Sequence, residues 1–266
     1  MKKIRKIISV LSICSVMSSS TRGYLTWNRE RTVALATIGI SIGTVIVVTQ
    51  LVKLFSGKKD DSGNLDNKNF DKREQNWIKI LLGEKIQDKS FLFQSGEAFR
   101  NANDRALEIH HNFIQIFFPN LEESGYANQD LCLNKNLKKW QALMQDLELR
   151  FKIQKNLKLN VNRILIFFGF EVTLGNNSEI IKLNAKDDAR IFVPDNDPRS
   201  HNRLRLTRVL KCLKLFGLDR EYEMIMAAIE NNGQFQKIMR NYDKDYSGLR
   251  ESYKYWQDSR NTACLF

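Results

Sequence analysis

The chain has 266 residues, of which 42% are hydrophobic and 10% aromatic, so it has room for one medium-sized domain with a real core and for further segments. Its formal net charge of +12 is concentrated near the N-terminus: residues 1–32 hold seven basic residues and one acid, whereas residues 60–266 hold 32 basic residues and 29 acids. Such a nearly neutral region argues against nucleic acid as a partner.

The residue types that bind metals and cofactors do not form known patterns. Four cysteines lie far apart without a C-x-x-C pair, which is neither a disulfide framework nor a zinc pattern. His110 and His111 are adjacent rather than four residues apart, and a metal site would need the fold to bring both to His201. Because phosphate-binding, dinucleotide-binding and catalytic signatures are also missing, we predict no metal, no cofactor and no enzyme activity.

The N-terminal part resembles membrane-targeting sequence. Residues 1–20 are basic, then apolar, then small, like a signal peptide or a weak membrane segment. Residues 33–52 carry no charge, and at about 1.5 Å per residue they cover a bilayer core of about 30 Å. We therefore predict a single transmembrane helix over residues 33–53 and a flexible tether over residues 54–72. Gly39 and Gly43 form a G-x-x-x-G face through which two copies could dimerise.

The predicted location is a membrane crossed once. The basic residues on the two flanks of the span hardly distinguish its two orientations. The isolated cysteines of the C-terminal region suit a reducing compartment, so they favour a globular domain on the cytoplasmic side.

After the tether, the apolar spacing predicts an all-α domain over residues 73–233, a C-terminal helical extension over residues 234–266 and at most one small β-hairpin. We predict one helix that stops at Gly83 and a second that runs from a cap at Asp104 to Pro119. A third follows an apolar stripe formed by Leu137, Trp140, Met144, Leu147 and Phe151. A further helix ends at Gly169, the hairpin covers residues 170–183 with its turn at 175–178, and a last core helix begins at Asp219 and ends near Gly233.

The clearest helix runs from Ser200 to Gly217, with Ser200 or Asn202 as its cap. Its apolar stripe is formed by Leu206, Val209, Leu210 and Leu213. Beside this stripe runs a basic flank that contains no acid, formed by Arg203, Arg205, Arg208, Lys211 and Lys214. Three interpretations of the flank remain open: a solvated face paired with nearby acids, a surface for an acidic peptide, protein or membrane, and a phosphate contact with nucleic acid.

Three blocks of sequence resemble the conserved region of the opioid growth factor receptor family. Near the central helix the match comprises His201, Asn202, Leu204, Arg205, Leu206, Thr207, Arg208, Val209, Leu210, Lys211, Leu213 and Gly217. An earlier block comprises Leu107, Glu108, His110, His111, Phe113, Ile114, Gln115, Phe117, Phe118 and Pro119, with Ile116 where the family usually has Trp. Between them lies ILIFFGFEVTL, residues 164–174, and the resemblance covers roughly residues 99–230.

The resemblance implies a receptor-type domain that binds a short enkephalin-type peptide without enzyme chemistry. On this basis we predict a membrane-tethered helical module that binds a peptide or protein. The matching residues expected to form its site over an apolar floor are His110, His111, Gln115, Phe117, Phe118, His201, Asn202, Arg205 and Arg208. The alternative is that these residues brace the fold, with His201 and Asn202 capping the central helix.

Two functions of other classes remain open. One is an enzyme in which His110 or His111, His201, and Asp195 or Asp197 converge in one pocket. The other is a passive membrane scaffold that self-associates through Gly39 and Gly43.

Overall fold

The computed structural model describes residues 70–125 and 130–266, which belong to one compact unit. Its helices are α1 (Lys72–Leu81), α2 (Gly96–Arg100), α3 (Asp104–Ile109), α4 (Phe113–Phe117), α5 (Leu137–Gln145), α6 (Leu147–Phe168), α7 (Asn202–Leu215), α8 (Asp219–Glu230), α9 (Gly233–Asn241) and α10 (Ser247–Asp258). The strands are β1 (Phe170–Leu174) and β2 (Ile180–Ala185). Short 3-10 turns cover Leu133–Asn136, Pro198–His201, Lys244–Tyr246 and Ser259–Asn261.

The predicted fold class needs a correction. Within residues 70–125 and 130–266, every helix is too short or too polar to cross a membrane. The fold described by the structure is therefore a mostly helical domain with one two-stranded sheet, rather than a transmembrane helix followed by an all-α domain. The span expected at residues 33–53, its Gly39 and Gly43, the signal-like residues 1–20 and most of the tether lie outside the described residues.

The predicted central helix is confirmed as α7, which contacts α4, α8 and α10. Its apolar stripe, Leu206, Val209, Leu210 and Leu213, is buried, and Gly217 has a positive φ of 64° just beyond its end. The predicted caps Ser200 and Asn202 were wrong, because no side chain in the described part of the chain caps the start of α7. The carboxylate of Asp197 instead accepts from the backbone N–H of Arg199, one turn earlier. Asp197 thereby starts the Pro198–His201 turn that leads into α7.

The helix predicted from Asp104 to Pro119 is two helices, α3 and α4, separated by His110 to Asn112. Asn103 rather than Asp104 caps α3, because its side chain accepts from the backbone N–H of Ala106 at 2.8 Å. His110 is extended, with φ −97° and ψ 105°, which ends α3. The adjacent histidines therefore lie in a break between helices.

The predicted stripe from Leu137 to Phe151 is also interrupted. Asp146 accepts from the backbone N–H groups of Glu148 and Leu149, so it starts the new helix α6. Trp140 and Met144 are buried in the core, but the apolar phase is lost at the break, and Leu147 and Phe151 are 68% and 67% exposed. The stripe was wrong for these two residues.

The predicted hairpin is confirmed as an antiparallel β1–β2 pair that begins with Phe170 opposite Ala185. The chain enters β1 through Gly169, whose φ is +97°. A Cβ at Gly169 would lie 2.8 Å from the Cα of Ala189, so both the backbone angle and the space require glycine there.

The C-terminal extension packs against α7 and α8. The indole N–H of the buried Trp256 donates to the hydroxyl of Thr207 at 2.9 Å, and the hydroxyl of Tyr222 donates to the carbonyl of Trp256 at 2.7 Å. Residues beyond 233 therefore cover one side of α7, and they leave its opposite side uncovered by the C-terminal extension.

Candidate functional site

A cleft of about 650 Å³ lies between α7, the start of α4 and the loop that follows α4; we call it the α7 cleft. Its α7 side is lined by His201, Leu204, Arg205, Thr207, Arg208 and Lys211. The facing side is lined by His111, Asn112, Ile114, Gln115, Asn120, Glu122, Glu123 and Ser124. The cleft is thus mainly polar, with apolar contributions from Ile114 and Leu204.

The guanidinium of Arg205 lies at the base of the cleft and is only 5% exposed. It donates to Asn202 Oδ1 at 2.9 Å and to His111 Nδ1 at 2.7 Å, and it lies 5.2 Å from the ring centre of Phe113. Within residues 70–125 and 130–266, no carboxylate forms an ion pair with it. Burial lowers the pKa of Arg205 to about 10, which the nearby Glu108 only partly offsets.

His111 and His201 meet edge to face with ring centres 5.0 Å apart. Burial lowers the pKa of His111, and the positive charge of Arg205 and the neighbouring His201 and His110 act in the same direction, against Glu108. Because Arg205 donates to its Nδ1, His111 is neutral and carries its proton on Nε2. His111 therefore accepts a hydrogen bond from the Arg205 guanidinium and does not add a second positive charge beside it.

Glu108 connects three segments of the chain behind the cleft. Its carboxylate lies 3.1 Å from His201 Nε2 and 3.2 Å from Arg190 Nη1, and its carbonyl accepts from Arg205 at 3.4 Å. His201 is oriented by its second nitrogen, since Nδ1 donates to the carbonyl of Pro198 at 2.6 Å. We had not predicted Glu108 as a site residue, although it stands in the quoted family match beside the histidines.

Two cations of α7 hold the loop that follows α4. Arg208 donates to the carbonyl of Phe118 at 3.2 Å and, at 3.5 Å, to that of Glu122. Its Nη2 is buried and has no hydrogen-bond partner among the residues that the structure describes, and burial lowers the pKa of Arg208. Lys211 Nζ lies 2.5 Å from the Glu122 carboxylate. Arg208 and Lys211 therefore face the same loop residue.

Gln115 stabilises this loop from the α4 side. Its amide oxygen accepts from the Ser124 hydroxyl at 2.7 Å, and its amide nitrogen donates to the carbonyls of Asn112 at 3.0 Å and His111 at 3.3 Å. All polar ends of this amide then have partners. The amide joins the end of the loop to the break between α3 and α4.

The structure brings five of the nine predicted site residues into the α7 cleft: His111, Gln115, His201, Arg205 and Arg208. His110 is exposed outside its lining. Asn202 is fully buried and lies behind the cleft between Arg205 and Glu108. Phe117 and Phe118 are fully buried in the core, so they do not form the expected floor.

The aspartates considered for an enzyme do not line the α7 cleft. Asp195 reaches a neighbouring groove that also contains His201, but its carboxylate accepts from Arg203, Ser247 and Gly248. Hydrogen bonds from Arg199 lower the pKa of Asp197 to about 2, so its carboxylate is a poor proton donor or acceptor near neutral pH. In the described part of the chain, no three His, Cys, Asp or Glu side chains are grouped to hold a metal ion.

The fold and the cleft define a mostly helical domain that presents basic and polar side chains between its central helix and a neighbouring loop. The family model of the opioid growth factor receptor (OGFr) conserved region matches residues 97–229, and the chain belongs to this family. The match runs from α2 into α8 and includes every residue that lines the α7 cleft. No curated protein and no solved structure matches the chain.

Proposed function

We propose that this OGFr-family domain is a non-enzymatic receptor module that binds an enkephalin-type peptide, or a similar peptide segment of a protein, in the α7 cleft. The observation that carries the proposal is the burial of the Arg205 guanidinium at the base of the cleft without a carboxylate partner among residues 70–125 and 130–266. Such a charge costs stability, and strongly shifted pKa values concentrate at functional sites.

The shape of the surface supports a peptide rather than a small rigid ligand. The cleft volume of about 650 Å³ lies within the usual range for ligand sites, about 300–1,000 Å³. A second groove of about 810 Å³ lies beside it and shares Glu122, His201, Leu204, Thr207 and Lys211. Leu204 is 61% exposed between the two, so an extended peptide can lie across it and bury an apolar side chain there.

The non-enzymatic part of the proposal rests on how the acids are used. Asp195, Asp197 and Glu108 pair with Arg203, Arg199 and Arg190, respectively. These carboxylates are already used to position arginine side chains. The arrangement suits recognition of a ligand more than proton transfer.

The test is isothermal titration calorimetry of the full chain with an enkephalin pentapeptide. We expect saturable binding that weakens by about tenfold or more in Leu204→Asp and His201→Ala, because each change alters a lining residue. Lys237→Gln, which replaces an exposed lysine on α9, is the matched control and should bind like the wild type. Absence of binding by a folded wild-type chain, judged by circular dichroism and urea unfolding, would reject the proposal.

A further inference from the structure

We propose that the α7 cleft recognises a carboxylate of its peptide ligand through Arg208 and Lys211, and that the Glu122 carboxylate occupies this position until the ligand displaces it. The inference rests on the proposed function and names the chemical group that the site selects. In the ligand, this carboxylate is either the C-terminus or an acidic side chain.

The described residues satisfy the Arg208 guanidinium only in part. Arg208 has five N–H donors, and those that bond are directed to backbone carbonyls at 3.2 Å and 3.5 Å, while Nη2 is buried without a partner in the described part of the chain. An unmade hydrogen bond on a buried charged group costs more than one on a neutral group. A carboxylate is the acceptor that best matches a guanidinium, because its two oxygens can accept two parallel N–H bonds.

Lys211 lies three residues after Arg208 on α7, so the two side chains lie on the same face of the helix. Both contact Glu122, Arg208 through the carbonyl and Lys211 through the carboxylate. A single incoming carboxylate can therefore reach both cations where Glu122 now lies. Arg205 is not part of this position, since its terminal nitrogens are directed away from Glu122, to Asn202, His111 and the carbonyl of Glu108.

Glu122 is suited to be displaced. Its side chain is 66% exposed, whereas that of Lys211 is 21% exposed, so the acid lies on the outer side of the pair. Ion pairs with one partner exposed to solvent contribute little to stability, so little opposes the exchange. A ligand carboxylate that also reaches Arg208 gains hydrogen bonds that the Glu122 carboxylate does not make, so exchange favours the ligand.

The experiment titrates the full chain with three probes: an enkephalin pentapeptide with a free C-terminus, its C-terminal amide, and an amide whose last residue is glutamate. We expect the free acid to bind about tenfold more tightly than the plain amide. Recovery of affinity by the glutamate amide assigns the site to an acidic side chain as well, and lack of recovery assigns it to the C-terminal carboxylate.

Variants test which residues provide the selectivity. Glu122→Gln should tighten the free acid about threefold to fivefold, which corresponds to a surface ion pair, and leave the plain amide unchanged. Arg208→Met and Lys211→Gln should each reduce the difference between acid and amide, with Lys211→Gln decisive if Arg208→Met unfolds. Lys237→Gln should preserve that difference.

The outcomes separate this inference from the proposed function. Equal affinities for free acid and amide in the wild type would overturn the carboxylate site while leaving peptide binding in place. Equal tightening of both peptides by Glu122→Gln would overturn the displacement by the ligand carboxylate. No binding of any probe by the folded chain would reject both proposals together.

Discussion

Arg203 and Arg205 lie two residues apart on α7 and are both buried, yet their surroundings predict losses of stability of very different size when each is replaced by methionine. Arg203 pairs with Asp195 at 2.5 Å and donates to the backbone carbonyls of Ile191 and Val193. Arg205 has no carboxylate partner among the described residues. Methionine keeps much of the aliphatic volume, so each substitution mainly removes the charge and its hydrogen bonds.

The magnitudes follow from these contacts. Arg203→Met leaves two buried carbonyls unpaired at about 1–3 kcal/mol each and breaks an ion pair, so we expect a loss of about 3–5 kcal/mol. Arg205→Met loses the bond to the buried Asn202, the bonds to the part-buried His111 and Glu108 carbonyl, which water can replace, and the contact with Phe113, together about 3–4 kcal/mol. It also removes a charge whose burial lowers the pKa from 12.5 to about 10, which returns about 3 kcal/mol. The expected net loss is about 1 kcal/mol.

Urea unfolding of the two full-chain variants, followed by circular dichroism, measures the difference. With a slope of about 2–3 kcal/mol per molar urea, the midpoint should fall by about 1 M or more for Arg203→Met and by about 0.5 M or less for Arg205→Met. Equal falls with an unchanged slope would refute the reasoning. Arg205 would then stabilise the fold as Arg203 does, and the burial of its guanidinium would no longer support the proposed function.

Three further predictions concern single contacts. Folding lowers the pKa of His111 below its usual 6.5, so the unfolded chain takes up this proton first as pH falls, and the free energy of unfolding decreases below about pH 6.5. His111→Asn keeps a hydrogen-bond acceptor for Arg205 but does not titrate. Urea midpoints measured from pH 7.5 to 5 should therefore change less with pH in this variant than in the wild type. Trp77→Phe leaves the buried carbonyl of Ile116 without its 2.8 Å donor and should cost about 2–3 kcal/mol in urea unfolding, while a loss below about 0.5 kcal/mol would contradict this contact. Gly169→Ala should cost more than about 2 kcal/mol in thermal unfolding, through positive φ and a backbone clash, and an unchanged melting temperature would contradict both.

The sequence predicted helices and strands correctly where one periodic apolar pattern ran through the whole element without an internal helix break. The stripe of α7 and the hairpin after Gly169 are examples, because burial and the left-handed turn both act locally. Of the two breaks that we missed, the one at Asp146 depends on a capping choice inside a continuous apolar pattern, because Asp146 is as good a cap as any nearby polar residue. The break at residues 110–112 precedes α4, whose first turn has no side-chain cap in the described part of the chain, so no capping residue marks it in the sequence.

The site was predictable only to the extent of the family resemblance. His201, Arg205 and Arg208 were predicted because they match family positions. The residues that they contact in the cleft lie far away in the sequence. His111 is 94 residues from Arg205, and Glu122 is 89 residues from Lys211. Spacing along the chain carries no signal for contacts of this range, so Glu122 was missed.

The packing of Trp256 against Thr207 and Tyr222 has a consequence for where this domain can be cut. The family match ends at residue 229, but the backbone N–H of Leu265 still donates to the carbonyl of Leu215 at 2.9 Å. A fragment trimmed to the family boundary would expose the reverse side of the helix that carries Arg205 and Arg208. The unit recognised by sequence relatedness is therefore smaller than the unit that must be kept whole for this helix to hold its shape.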